Sequence, residues 1–70
     1  MQLNKKAFKS LLNSEFNGNF NKMSRELDVN VAQLYRILEK DSNPGVKFLS
    51  KIITWCNQHD KNYNDYIFLA

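Results

Sequence analysis

Apolar residues along this 70-residue chain recur at the three- and four-residue spacing of helices, and polar runs mark where the helices stop. Leu3, Ala7, Phe8, Leu11 and Leu12 form a first stripe, with Lys5, Lys6 and Lys9 off it, which predicts a helix over residues 3–14. Glu15-Phe16-Asn17-Gly18-Asn19 breaks the period, and Asn17-Gly18 is the strongest turn signal in the chain. Phe16 is expected to turn inward as a core anchor. A short second helix follows over Phe20–Leu27, with Asn19 or Asn21 as its N-cap and Met23 and Leu27 one turn apart.

Asp28-Val29-Asn30 reads as a tight turn, and Asn30 as the N-cap of a third helix over Val31–Lys40. On that helix Leu34, Ile37 and Leu38 share one narrow arc. Ala32 and Arg36 point nearly opposite, flanked by Gln33, Tyr35 and Lys40. Pro44 ends helical continuation within the linker Asp41-Ser42-Asn43-Pro44-Gly45. A fourth helix is predicted over Val46–Gln58, with Val46, Leu49, Ile52, Ile53 and Cys56 inward and Phe48 and Trp55 flanking. After the polar hinge Asp60-Lys61-Asn62, a fifth short helix is expected over Tyr63–Leu69. No strand-period segment of useful length interrupts the series. The expectation is a single all-α domain over residues 1–70, built from five short helices.

Composition narrows the function classes. A chain this short buries only about 60% of its unfolded surface, so the five Phe, three Tyr and one Trp carry much of the core. The net charge of +3 leans mildly toward nucleic acid. One cysteine, Cys56, excludes an intramolecular disulfide, and Cys56 with His59 falls short of a zinc ligand set. They read as a buried thiol beside a surface imidazole, and no metal or cofactor is expected. No paired carboxylates, no nucleophile–base set and no phosphate-binding glycine loop is present, so an enzyme is not expected, nor is a small-molecule ligand. The opening Met1–Phe8 lacks the apolar run of a secretory signal, and no stretch approaches the roughly 18 apolar residues of a membrane span. The cytoplasm is the expected compartment.

The informative unit spans residues 19–40. The run Gly18-Asn19, Ser24-Arg25-Glu26-Leu27-Asp28-Val29-Asn30 and Leu34-Tyr35-Arg36 resembles the Fis-type DNA-binding helix-turn-helix. In that family a Gly-Asn pair precedes the first helix and a Leu-Tyr-Arg triplet falls in the second. The Fis-type motif usually ends its chain, whereas 30 residues follow here. Asn43-Pro44-Gly45-Val46, Phe48-Leu49, Ile52-Ile53, Cys56, Tyr63 and Tyr66-Ile67 resemble the last two helices of the lambda-repressor/Cro family. The five-helix layout favours that second, Xre-like family. Met23, Leu27, Val29, Leu34 and Ile37 supply the apolar positions that two helices meeting through a three-residue turn require. Ser24 stands where the motif usually has alanine, and Asp28 where it usually has glycine with positive φ, a conformation Asp tolerates better than most residues.

Either resemblance implies a sequence-specific, double-stranded DNA-binding regulator, such as a small bacterial, phage or mobile-element repressor. The second helix of the motif would enter the major groove. Carried over by position, the base-reading set is Asn30, Val31, Ala32, Gln33, Tyr35 and Arg36, with Arg36 placed to bind guanine bidentately and Gln33 or Asn30 to read adenine. Asn21, Lys22, Lys40 and Lys47 are the expected phosphate contacts. The lambda-repressor family often pairs subunits through its last helix, which implies a homodimer surface at Ile67, Phe68 and Leu69; alternatively Tyr66, Ile67 and Leu69 close the core. Apolar Val31 and Ala32 and the modest charge also suit a protein-interaction module of the same fold, such as an antirepressor or inhibitor.

Overall fold

The computed structural model describes residues 1–68. Four helices carry the fold: α1 (Lys5–Phe16), α2 (Phe20–Leu27), α3 (Val31–Glu39) and α4 (Val46–Gln58). Two short strands, β1 (Gln2–Leu3) and β2 (Ile67–Phe68), pair antiparallel, and a 3-10 turn at Tyr63–Asp65 precedes β2. The architecture is mostly helical, with four helices among the described residues rather than five.

Asparagine and aspartate punctuate this chain. The side-chain carbonyls of Asn4, Asn19 and Asn30 cap α1, α2 and α3, accepting from the amides of Ala7, Lys22 and Ala32 at 3.2, 3.1 and 2.8 Å. At the other ends, Asn17, Asp28, Asp41 and Asp60 each follow a helix within two residues, in the left-handed region at φ between 53° and 60°. Glycine is the usual residue there; Asn and Asp are the side chains that tolerate it best. Because Asn4 is the cap, α1 begins two residues later than the apolar stripe predicts, and Leu3 reaches the core from a strand instead.

The core joins Phe8, Leu11, Leu12 and Phe16 of α1 to Met23 and Leu27 of α2, Leu34 and Ile37 of α3, and Phe48, Leu49, Ile52, Trp55 and Cys56 of α4. Phe8 meets Phe48 edge-on with ring centroids 6.1 Å apart, and Phe16 meets Trp55 at 5.9 Å. On α4 the buried stripe is centred on Ile52 and takes in Phe48 and Trp55 along one edge. The helix is thereby rotated away from the expected phase, so Val46 is 70% exposed and Ile53 only half-buried. Cys56 is buried, and burial pushes its thiol above the ordinary value, as suits a packing residue. No helix among the described residues is long and apolar enough to cross a membrane.

The helix expected over Tyr63–Leu69 does not form in its described part. Residues 63–65 make one 3-10 turn, and the chain then extends to lie beside β1, with Leu3 opposite Ile67 and Gln2 opposite Phe68. The Asn4 amide donates to the Tyr66 carbonyl at 2.7 Å and continues the pairing. Strand alternation sends Leu3 and Ile67 inward and Gln2 and Phe68 outward. Ile67, 1% exposed, is therefore consumed by its own core, which corrects its assignment to a dimer surface on a C-terminal helix. Phe68 is half-exposed, and Leu69 lies outside the described residues. Ile67→Ala is expected to cost about 2–5 kcal/mol of stability, as buried large-to-small changes do. Phe68→Ala should stay within about 0.5 kcal/mol, in the range of surface substitutions, and urea denaturation distinguishes the two.

Candidate nucleic-acid interface

α2 packs against α1, α3 and α4, and its exit decides where α3 points. Ser24 is buried on it, small enough for close approach, and its hydroxyl donates to the Asn21 carbonyl at 2.9 Å, so the burial leaves no unpaired polar group. α2 ends in a paired motif: the Val29 amide donates to the Ser24 carbonyl at 2.9 Å and the Asp28 amide to the Arg25 carbonyl at 3.3 Å. This geometry requires a left-handed residue between the two, and Asp28 supplies it at φ 60° and ψ 48°.

The Asp28 side chain adds a tether. Its Oδ2 accepts from Lys51 Nζ of α4 at 2.9 Å. That hydrogen bond and the charge of Lys51, with a further contribution from Lys47, hold the Asp28 carboxyl below the ordinary carboxylate range. Val29 then packs half-buried on the core, and Asn30 opens α3 by accepting from the amides of both Ala32 and Gln33, at 2.8 and 3.3 Å. A single three-residue segment thus ends one helix, ties to a third and starts the next.

Leu34 and Ile37 bury one side of α3. The opposite side carries Ala32, Tyr35 and Arg36 outward, with Val31 at its edge; Val31 is 38% and Tyr35 47% exposed. Tyr35 is held by an edge-on contact with Phe20 at the start of α2, ring centroids 5.6 Å apart. Gln33 is half-buried and lines a cleft with Lys47 and Phe48 of α4. Of the six residues the sequence assigned to base reading, Val31, Ala32, Tyr35 and Arg36 share the open face. Asn30 sits at its N-terminal edge with its carbonyl in use, and Gln33 turns toward α4.

The expected phosphate contacts Asn21, Lys22, Lys40 and Lys47 are all exposed, at the start of α2, the end of α3 and the start of α4. Charge is partitioned around them. Lys5, Lys9, Lys51 and Lys61 pair with Asp41, Glu39, Asp28 and Glu15 at 2.6, 3.8, 2.9 and 3.0 Å. Among the described residues, Lys6, Lys22, Arg25, Arg36, Lys40 and Lys47 make no ion pair; Lys6 is on α1, and the other five lie on or beside α2, α3 and the start of α4. Arg36 does not pair with Glu39 or Asp41, whose carboxylates face α1 instead. Arg25, exposed in the last turn of α2, is a cation that sequence reasoning passed over; its place six residues after the capping Asn19 was the available signal.

The turn yields its own test. Asp28→Ala keeps a Cβ in the left-handed region while losing the tether, whereas Asp28→Gly loses the tether but not the conformational fit. Asp28→Ala should melt roughly 4–8 °C below Asp28→Gly in a thermal scan. Because the folded carboxyl titrates below its unfolded value, the tether's contribution is present above the ordinary carboxylate range and is lost as pH falls below it. Asp28→Asn should flatten that part of the acid profile.

Comparison of the chain with family models, with curated proteins and with solved structures finds no match.

Proposed function

We propose that residues 19–40 are a helix-turn-helix and that the chain is a sequence-specific, double-stranded DNA-binding regulator of the lambda-repressor/Cro kind. The observation that carries this reading is the composite turn Asp28-Val29-Asn30. It presents the N-terminal half of α3 outward while unpaired cations lie on the elements to either side. An α-helix offered in this way suits the width of the major groove, with its N-terminal residues at the base edges.

In this reading Arg36 reads a base, and Lys22, Lys40, Lys47 and the amides opening α2 hold phosphates. Helix N-termini favour anions because their first amides lack partners inside the helix. One such domain covers a half-site, so a second copy on a symmetric operator fits the family's usual arrangement. The half-exposed Phe68 is the remaining described member of the dimer surface assigned from sequence.

Exposed Val31 and Tyr35 also suit a groove on a protein partner, and the same titration separates the readings. A labelled random-sequence duplex should bind with Kd of about 10⁻⁴–10⁻⁶ M and weaken steeply between about 50 and 200 mM salt. Lys22→Ala should weaken all sequences alike and reduce the salt slope by about 1, while Arg36→Ala should cost about 1–3 kcal/mol and relax one base position. Absence of binding at low salt would shift the function to the protein-interaction reading.

A further inference from the structure

We propose that α3 reads its half-site mainly through thymine methyl groups, with Val31, Ala32 and Tyr35 as the contacting side chains and Arg36 holding one adjacent guanine. The inference rests on the DNA-binding reading above and names what that face would recognise.

The argument starts from what the face has already spent. Bidentate recognition of adenine by an asparagine needs one acceptor, for the N6 amino group, and one donor, for N7. Asn30 has the donor, but its Oδ1 already accepts from the amides of Ala32 and Gln33. Freeing that oxygen would uncap α3. Gln33 is half-buried toward α4, in the cleft with Lys47 and Phe48. The two amide side chains that a sequence reading would use for adenine are therefore engaged or turned aside.

What remains outward on α3 is Val31, Ala32 and Tyr35 and, in its last turn, Arg36. In the major groove the one apolar feature of a base pair is the C5-methyl of thymine. An apolar side chain pressed against any other base edge takes a donor or acceptor out of water without a partner, which costs free energy. The face thus favours thymine by contact and disfavours the other bases by desolvation. Arg36, one turn on from Ala32 and without an ion pair among the described residues, is the remaining polar reader, and its geometry matches guanine O6 and N7.

Charge selects DNA as the occupant over a protein surface. Lys22 and Arg25 on α2 and Lys47 on α4 flank the face without ion pairs among the described residues. The only carboxylate on the outward side of α3 is Glu39, a further turn beyond Tyr35, and Lys9 stands 3.8 Å from it. Nearest the turn, the exposed carboxylate of Asp28 is paired with Lys51 at 2.9 Å.

The test begins with duplexes selected from a random pool by the 70-residue protein. Each thymine of the selected half-site is then replaced, one at a time, by deoxyuridine, which lacks only the C5-methyl. Two or three positions should weaken binding by about three- to fivefold each, the size of one buried methyl contact. Replacing one guanine by 7-deazaguanine should weaken binding about tenfold in the parent and have no further effect in Arg36→Ala. Val31→Ala, at an exposed position, should abolish the uracil effect at one thymine and leave the others. Selection of a sequence that binds equally well with uracil throughout would overturn the methyl readout while leaving DNA binding intact. Salt-dependent binding with no selected sequence would overturn it as well. No binding at low salt would overturn both this inference and the function it rests on.

Discussion

The turn Asp28-Val29-Asn30 is the constraint on which the arrangement of this molecule depends. Three residues have to satisfy the open carbonyls at the end of α2 and the open amides at the start of α3, and reverse the chain's direction of travel between them. Backbone hydrogen bonds from Asp28 and Val29 close the first helix, and the Asn30 side chain opens the second. Left-handed geometry at Asp28 makes both ends compatible. Val29, packed against the core, keeps the reversal from swinging free, and Lys51 ties Asp28 to α4. The outward direction of Ala32 and Arg36 follows from these contacts together with the burial of Leu34 and Ile37.

Charge placement has the same logic. A +3 domain is weakly basic, and spread evenly that charge would say little about a partner. Here, however, most ion pairs lie elsewhere: Lys5 and Lys9 of α1 reach Asp41, just past α3, and Glu39, its last residue, and Lys61 reaches Glu15 of α1. Such exposed pairs contribute little to stability. Their consequence is electrostatic, because they neutralise the carboxylates at the end of α3 and leave uncompensated cations along α2, α3 and the start of α4, besides Lys6 on α1. Two acids stand at the end of α2: Asp28, which Lys51 answers, and Glu26, 3.9 Å from the His59 ring.

Much of this was legible from residues alone, for reasons that can be located. Asn19 and Asn30 announce helix starts because their short side chains reach back to the first free amides, and Asp28 announces a left-handed exit because few other residues accept one. Met23, Leu27, Leu34 and Ile37 fall at helical spacing because each has to reach one shared core. The chain ends were less legible. A two-residue strand has too few positions to show alternation, so Leu3 was absorbed into the stripe of α1, and Ile67 into a helix that the described residues do not form. Val46 misled for a different reason. Spacing gives the period of α4 but not its rotation, which the volumes of Phe48 and Trp55 decide.

In the proposed DNA-binding reading, capping and base recognition would compete for the same atoms at the start of α3. A nine-residue helix is below the length at which helices persist alone, so α3 depends on packing and on its cap. Asn30 meets that need by committing its carbonyl to two amides, which removes one acceptor from any surface the helix meets. Gln33, next in line as a polar reader, lies along the α3–α4 cleft. Stability has thus been secured with the polar groups best suited to adenine, and the open face is left with methyls, one aromatic ring and one guanidinium. If it meets DNA as proposed, a surface of that kind would discriminate through fit and desolvation rather than through a dense set of hydrogen bonds. Its selectivity would then depend on how rigidly the turn holds α3, since a methyl contact that shifts by an ångström is lost.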